Sequence, residues 1–213
     1  MRKLVVTTFI SLDGVMQAPG GPEEDPSGEF RYGGWLVPHF DEATGAQMVE
    51  WFSTAEDFLL GRGTYDIFAA YWPQASTEND PIAAALQTKT KHVASRTRTS
   101  LDWGTAQLLD GEVPDAVRKL KEQDGGELQV HGSAGLIQTL LAEDLVDELR
   151  LIVFPVTVGE GKRLFGEGTM PRTWRLTSSS ATLSGALMAS YERAGELTTG
   201  DVTLEDPITL PSA

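Results

Sequence analysis

The sequence of 213 residues contains no cysteine, and this absence excludes several kinds of chemistry. Disulfide bonds, zinc sites built on thiolates and catalysis by a thiol are all ruled out. Histidine is scarce as well, and His39, His92 and His131 are not spaced like metal ligands. The sequence therefore predicts a protein without a metal site.

Positive charge is also in short supply. Lys and Arg number 17, Asp and Glu number 31, and the formal net charge is −14. Proteins that bind nucleic acids use basic surfaces, so this balance argues against a nucleic-acid partner. The charge is uneven, however: residues 81–101 contain no acid but include Lys89, Lys91, Arg96 and Arg98. This basic island indicates a small anionic ligand, and a solvated basic face is the alternative.

Long hydrophobic runs are absent. The apolar run near the beginning of the sequence is too short for a membrane span, and alternation over residues 4–10 predicts a strand there. No small-residue cleavage site follows it. Hydrophobic residues make up 40% and charged residues 23%, as in ordinary globular proteins. We therefore expect a soluble, cytoplasmic protein with no membrane partner.

Strand and helix patterns alternate along most of the chain. Alternating or continuous apolar runs predict strands at residues 3–10, 57–60, 92–95, 107–109, 128–131, 148–155, 174–180 and 186–192. Helical spacing behind a cap or proline predicts helices at residues 41–54, 64–72, 81–88, 114–123 and 134–142. Residues 17–34 are rich in Gly, Pro and acids and are predicted to form a long loop.

This order predicts a single α/β domain over residues 1–193. Its central sheet is expected to be mostly parallel, with antiparallel strands at the C-terminal end and helices on both faces. Residues 194–213 contain four acids, no base and two prolines, and are predicted to be an acidic tail. In parallel sheets, ligands bind where the carboxyl ends of strands turn into helices. The turns after Ile10, Leu60, Val93 and Val130 are therefore the candidate sites.

The first of these turns to carry a motif is Gly61-Arg62-Gly63-Thr64. A helix N-terminus presents unpaired N–H groups, and glycine lets a phosphate approach the backbone. Arg62 adds a forked cation and Thr64 adds a hydroxyl. The turn therefore suits a phosphate. The alternative is structural: the glycines form a tight turn and Thr64 caps the helix.

A second turn, after the strand at residues 92–95, contains Ser95, Arg96, Thr97 and Arg98. A hydroxyl and two arginines at the end of a strand suit a phosphomonoester such as the 2′-phosphate of NADP. The alternative is an exposed basic loop.

A third turn, Gly132-Ser133-Ala134-Gly135, follows His131. It is neither the dinucleotide fingerprint G-x-G-x-x-G nor a P-loop, because the lysine is missing. We interpret His131 as a strand-end residue with a satisfied hydrogen bond, not as a catalyst. Three such turns at one edge of one sheet are more specific than any one alone, and together they suit a pyrophosphate and a third phosphate.

Five segments stand in order along residues 3–193, and they read TFISLDGVM, LLGRGTYD, KHVASRT, LQVHGSAGLIQTLL and LVDELRLIVFPVTVGEGKRLF. These segments resemble the dihydrofolate reductase-like superfamily. The last segment is the most specific, and it is similar to the reductase domain of bacterial riboflavin biosynthesis and to its stand-alone relatives.

The resemblance implies a single-domain, three-layer sandwich of the dihydrofolate reductase type that binds NADPH. It implies that the cofactor contacts residues of the three turns, namely Gly61, Arg62, Thr64, Ser95, Arg96, Gly132, Ser133, Ala134 and Gly135. It also implies a homodimer. The apolar stretch at residues 149–158 is our candidate for part of the interface.

Hydride transfer needs no protein nucleophile, because the cofactor carries the reaction. In the riboflavin-type family the turn that matches Ser11-Leu12-Asp13-Gly14 lies beside the nicotinamide and the substrate. We therefore predict that Asp13 is the catalytic residue, and that Ser11, Asp13 and Trp35 contact the substrate. The alternative is that Asp13 and Gly14 only form a turn.

The resemblance thus implies an NADPH-dependent reductase, similar to 5-amino-6-(5-phosphoribosylamino)uracil reductase, that acts on a small heterocyclic, carbonyl or imine substrate. A catalytically silent nucleotide-binding module is the first alternative, and a dihydrofolate reductase is the second. Residues 17–34 contain four acids and only Arg31 as a base, a poor environment for a ribose phosphate. Asp41 is better explained as a helix N-cap than as a pterin-binding acid. The substrate is left open.

Overall fold

The computed structural model describes residues 1–200. Within them the strands are β1 (Leu4–Ser11), β2 (Ala55–Gly61), β3 (Lys91–Ala94), β4 (Ala106–Leu108), β5 (Glu127–His131), β6 (Glu148–Phe154), β7 (Thr173–Ala181) and β8 (Leu187–Gly195). The α-helices are α1 (Glu42–Ser53), α2 (Arg62–Tyr71), α3 (Pro81–Thr88), α4 (Val113–Glu122) and α5 (Ala134–Ala142).

Short side chains and prolines set the ends of several helices. The Asp41 carboxylate accepts the Thr44 N–H at 2.9 Å and caps α1, as the sequence predicted. Asp80 caps α3 in the same way, with Pro81 as the first helical residue, where a missing N–H costs nothing. Helix α2 gives way to a 3-10 turn that contains Pro73. Local chemistry therefore accounts for where these helices lie.

The eight strands form one sheet in the order β4-β3-β2-β5-β1-β6-β8-β7. Six neighbouring strands, from β4 to β6, run parallel, whereas β8 is antiparallel to β6 and β7 is antiparallel to β8. The carboxyl ends of β1, β2, β3 and β5 therefore meet at one edge, where ligands bind in sheets of this kind.

Helices cover both faces of the sheet, and each face has its own apolar core. On one face, Val117 of α4 and Ile137 of α5 pack against the sheet. On the other face, Phe52 of α1, Tyr65 of α2 and Leu86 of α3 do so. The predicted fold class, a three-layer α/β domain with a mostly parallel sheet and antiparallel C-terminal strands, is confirmed.

Predicted and observed elements differ only at their ends. Strand β2 begins two residues earlier than predicted, and β8 runs to Gly195, so the strand includes the first two residues of the predicted tail. Residues 201–213 of that tail lie outside the described residues. No helix within residues 1–200 combines the length and the apolar character that crossing a membrane requires.

The position of β6 changes the expectation for the dimer interface. This strand lies between β1 and β8, and it buries Leu149 and Leu151 in the core of its own chain. Strand β6 therefore has no free edge to offer a second copy. Edge-to-edge pairing through β6 is therefore excluded, and any other contribution of residues 149–158 to a dimer interface stays a prediction.

Candidate active site

A large cleft lies at the edge of the sheet where the parallel strands end. Its volume is about 1380 Å³, and residues of all three predicted turns line it. Pockets for a single small molecule are typically about 300–1000 Å³. The cleft therefore has room for a dinucleotide and a second, smaller ligand.

Ser133 joins the first and third turns. Its hydroxyl accepts the Gly61 N–H at 2.9 Å and donates to Thr64 Oγ1 at 2.8 Å. Ser133 itself has a φ of +69°, which turns the chain sharply between β5 and α5. The two helix N-termini are thereby fixed beside each other, an arrangement suited to a pyrophosphate.

In the first turn, the helix begins earlier than the sequence predicted. Gly61 is the N-cap of α2 and no side chain caps it, so Thr64 does not serve as the cap. The Thr64 hydroxyl instead accepts the hydrogen bond that Ser133 donates. Arg62 lines the cleft with 54% of its side chain exposed, and it pairs with Asp66 at 3.0 Å. Arg62 is therefore in position to reach a ligand from the mouth of the cleft.

In the second turn, the two arginines differ. Arg98 pairs with Asp66 at 2.7 Å, on the helix that the first turn begins. Arg96 is exposed, lines the cleft and has no ion pair within residues 1–200. The Ser95 hydroxyl shapes the turn, because it accepts the N–H groups of Thr97 at 3.2 Å and Arg98 at 3.0 Å. Arg96 is thus the cation left for a phosphate.

An apolar wall lines the cleft beside the face of the sheet that α1 covers. It is formed by aromatic and aliphatic side chains: Phe9, Phe40, Met48, Phe52, Phe68 and Trp72. Helix α1 contributes Met48 and Phe52 to the lining and no acid. None of these residues was predicted to contact a ligand, because apolar side chains that line a cleft and those that fill a core look alike in the sequence. The wall provides a flat, water-excluding surface for a ring.

Asp13 and Ser11 are not among the residues that line this cleft. The Asp13 carboxylate accepts the N–H of Val158 at 3.0 Å and that of Gly159 at 2.8 Å. It also accepts the Ser11 hydroxyl at 2.6 Å. These hydrogen bonds, that of Ser11 first, hold the pKa of Asp13 well below its usual range. The pair therefore ties two loops together, and the contact of Asp13 and Ser11 with the substrate stays a prediction.

Trp35 is likewise not among the residues that line the cleft. Its indole N–H donates to the Gln17 carbonyl at 2.8 Å, and its ring packs edge-on against Phe154. Gln17 in turn accepts the Lys162 N–H at 3.0 Å. Trp35 therefore braces the loop whose other side lines the cleft, and its contact with the substrate stays a prediction.

His131 was set aside in the sequence analysis, but it lies in the wall of the cleft. It is the last residue of β5, it is only 6% exposed, and its ring stacks on Phe52 with centroids 4.1 Å apart. Burial, together with the charge of Arg150, lowers the pKa of His131 to about 3. The imidazole is therefore neutral at physiological pH.

Comparison with known proteins identifies the family of this chain. The model of the RibD C-terminal domain matches residues 2–188. The uncharacterized protein YyaP of Bacillus subtilis (strain 168) is 26% identical over 197 residues, which cover 91% of this chain and 96% of that protein.

No group of His, Asp and Glu within residues 1–200 is arranged to hold a metal ion.

Solved structures share the fold at low sequence identity. A Shewanella sp. PV-4 protein named for riboflavin biosynthesis is 22% identical, with a TM-score of 0.64 over 90% of this chain and 99% of that one. Dihydrofolate reductase from Enterococcus faecalis, complexed with NADP(H), is 14% identical, with a TM-score of 0.57 over 90% and 96%.

A third structure is larger than this chain. The diaminohydroxyphosphoribosylaminopyrimidine deaminase/5-amino-6-(5-phosphoribosylamino)uracil reductase of Thermotoga maritima is 12% identical and has a TM-score of 0.60. The match covers 91% of this chain and 57% of that one. The chain has a dihydrofolate reductase-like fold and belongs to the RibD C-terminal domain family.

Proposed function

We propose that this chain is an NADPH-dependent reductase that transfers a hydride to a small heterocyclic, carbonyl or imine substrate. The observation that carries the proposal is the meeting of three anion-binding turns in one cleft, two of them joined by the Ser133 hydroxyl. A dinucleotide with an extra phosphate needs three such positions.

The pyrophosphate is proposed to lie between the N-termini of α2 and α5. Both helices begin beside the Ser133 bridge, and their unpaired N–H groups and partial positive charge favour an anion. Gly132, Ala134 and Gly135 line the cleft at this point and leave the backbone open to a ligand. Residues of the two turns therefore fit the charged centre of the cofactor.

The 2′-phosphate is proposed to lie against the second turn. Arg96 offers a forked cation with no ion pair in the described chain, and the Ser95 hydroxyl stands beside it. A planar guanidinium matches the geometry of a phosphate. This pairing supports NADPH over NADH, because NADH lacks the group that Arg96 would bind.

The reacting end is proposed to lie against the apolar wall. A bound nicotinamide supplies the hydride, and the chain has to orient the two rings and exclude water. Phe9, Phe52 and Phe68 suit this task, because their apolar side chains line the cleft. The Thermotoga relative is named a reductase of a pyrimidine, which supports a heterocyclic substrate here.

Dihydrofolate is a weaker candidate for the substrate. Asp41 caps α1 and is not part of the cleft lining, and the side chains that α1 turns into the cleft, Met48 and Phe52, carry no acid. The acid on this helix that classical dihydrofolate reductases use to bind a pterin therefore has no counterpart in the lining. The absence of that acid from the lining favours a substrate ring other than a pterin.

Equilibrium binding and an oxidation assay together test the proposal. NADPH binding is followed by cofactor fluorescence, and NADPH oxidation is followed with 5-amino-6-(5-phosphoribosylamino)uracil, dihydrofolate and unphosphorylated pyrimidines as substrates. Binding with turnover of at least one ring supports a reductase. Binding without any turnover would favour the silent nucleotide-binding module, and absence of binding would contradict both.

A further inference from the structure

The imidazole of His131 is held in one orientation at the wall of the cleft. One side of the ring stacks on Phe52, and Phe58 meets it edge-on with centroids 5.6 Å apart. Its Nε2 lies 2.9 Å from Gln129 Oε1. Two aromatic neighbours and one hydrogen bond thus fix a ring that is directly in the cleft lining.

The orientation of the Gln129 amide is fixed by its other partners. Its NH2 group donates to the Trp51 carbonyl at 2.7 Å and to Glu127 Oε2 at 2.7 Å. Both of these atoms can only accept hydrogen bonds, so the amide nitrogen must be the atom that faces them. The amide oxygen is therefore the atom that faces His131.

The tautomer of His131 follows from that orientation. An amide oxygen accepts and never donates, so His131 Nε2 must carry the hydrogen. In a neutral ring Nδ1 then has a lone pair and no hydrogen. Burial and Arg150 keep the ring neutral by lowering its pKa, so Nδ1 cannot become a donor at physiological pH.

His131 Nδ1 is available to a ligand. Within residues 1–200, Nδ1 has no hydrogen-bond partner. Two side-chain atoms in this range are both unpartnered and sealed from solvent, Arg2 Nη2 and Thr7 Oγ1, and His131 Nδ1 is not one of them. Nδ1 is thus an unpaired acceptor on a ring that lines the cleft. An unpaired acceptor next to apolar side chains favours a ligand that brings a donor.

Charges around the cleft disfavour an anionic substrate at this wall. Lys162 reaches the cleft from the loop after β6, but its ammonium group is 2.6 Å from Asp25 and is already neutralised. Glu24 lines the same side and accepts two backbone N–H groups. The remaining cleft cations, Arg62 and Arg96, belong to the turns proposed for the cofactor phosphates.

We propose that His131 Nδ1 is a specificity-determining acceptor that receives a hydrogen bond from a ring N–H of the bound substrate, and that this ring is uncharged. This inference rests on the proposed function, because it assigns the cofactor to the other part of the cleft. It names a residue that selects among heterocycles, which the three turns alone do not.

Matched ring ligands test the inference on the wild-type protein saturated with NADP⁺. Uracil carries ring N–H donors, 1,3-dimethyluracil has the same ring without them, and orotate adds a carboxylate. Losing one hydrogen bond is expected to weaken binding about threefold or more. Uracil should therefore bind more tightly than either analogue. Equal affinities for uracil and 1,3-dimethyluracil would overturn the role of the acceptor, and equal affinities for uracil and orotate would overturn the selection against charge.

Nitrogen-15 NMR of labelled histidine shows directly which nitrogen of His131 carries the hydrogen and whether a ligand donates to Nδ1. The free protein should give His131 as the neutral tautomer with hydrogen on Nε2, and uracil should shift the Nδ1 resonance while 1,3-dimethyluracil leaves it in place. A hydrogen on Nδ1 in the free protein, or an Nδ1 shift with both ligands alike, would overturn the proposal. This measurement needs no variant and therefore does not depend on how a variant folds.

The variant His131→Phe separates substrate from cofactor. Phenylalanine keeps a ring against Phe52 but has no acceptor, so the preference for uracil over 1,3-dimethyluracil should disappear while NADPH affinity changes less than about twofold. An equal loss of NADPH affinity would show that the acceptor contacts the cofactor, and it would overturn the proposal. Failure of the wild-type protein to bind NADPH would instead contradict the proposed function itself.

Discussion

Arg96 and Arg98 are two residues apart, yet their surroundings give them different roles. Arg98 is paired with Asp66, whereas Arg96 has no ion pair within residues 1–200 and lines the cleft. We therefore expect Arg96→Ala to weaken NADPH binding about tenfold and to leave NADH binding nearly unchanged, because a charge-assisted hydrogen bond contributes about 1.5–3 kcal/mol. Parallel fluorescence titrations with the two cofactors measure both constants.

Arg175→Ala provides the matched control for that prediction. Arg175 lies on β7, its side chain is 70% exposed, and it pairs with Glu192 away from the cleft. Its removal takes away the same charge and should change neither cofactor affinity. Equal losses of NADPH affinity in the two variants would mean that net charge, and not a specific contact, governs binding.

We expect Asp13 to contribute more to the stability of the fold than to turnover. Its carboxylate accepts the N–H groups of Val158 and Gly159, and an asparagine cannot replace both acceptor oxygens. Asp13→Asn should lower the free energy of unfolding at pH 7 by about 1–3 kcal/mol. Urea denaturation measures this change. An unchanged unfolding free energy with a large fall in turnover would instead favour the catalytic role first predicted for Asp13.

The lowered pKa of Asp13 predicts that the stability of the fold depends on pH. The folded-state pKa of Asp13 is held below its ordinary value of 3.8, so the charged form stabilises the fold above that pH. The contribution is lost as the pH falls towards the folded-state pKa. The difference in unfolding free energy between wild type and Asp13→Asn should therefore be constant near neutrality and narrow below about pH 4. A difference that widens in acid would contradict this.

Among the elements, the junction between β2–α2 and β5–α5 depends on the Ser133 hydroxyl. Ser133→Ala keeps the Cβ at the same positive φ and removes only the bridge to Gly61 and Thr64. We expect a loss of about 1 kcal/mol in stability and about three- to tenfold in NADPH affinity, because the two helix N-termini lose their fixed spacing. Thermal unfolding and fluorescence titration measure these effects.

Ser53→Ala is the control for that variant, because Ser53 is exposed at the C-terminal end of α1 and does not line the cleft. It should leave both quantities unchanged. If Ser133→Ala bound NADPH as tightly as wild type, the bridge would be a feature of the fold alone.

Local patterns made the elements predictable, but not all of their contacts. Helix α3 was predicted at its observed bounds, because a cap and a proline mark its start. The three turns were also found, because glycines and hydroxyls at strand ends are visible in the sequence. The partners of Asp13 were not, since Val158 and Gly159 lie about 145 residues away. A carboxylate after a strand looks the same whether it faces a ligand or holds a distant loop.

The hydrogen bonding of His131 could not be predicted from the sequence for the same reason. Its tautomer depends on Gln129, whose own orientation depends on Trp51 in α1. No local pattern records such a chain of hydrogen bonds between elements. The resemblance to a family located the cleft, but the chemistry of its wall required the packed structure.

For the whole molecule, we propose a homodimer, now with β7 as the candidate interface. Within residues 1–200, β7 is an edge strand that pairs with β8 alone, and Leu176 on it is 50% exposed. Edge strands with exposed apolar side chains favour association. Sedimentation should give twice the 23.1 kDa chain mass, and Leu176→Arg should give the single chain. A wild-type protein that sediments as a monomer at micromolar concentration would contradict the proposal.

The most direct test of the NADPH site is a crystal structure of the chain with NADP⁺. The pyrophosphate should lie between the turns at residues 61–64 and 132–135, the 2′-phosphate should contact Arg96, and the nicotinamide should point towards the apolar wall at Phe52. A cofactor whose phosphates lie elsewhere, or a cleft that stays empty at saturating NADP⁺, would contradict the assignment of the three turns and with it the proposed function.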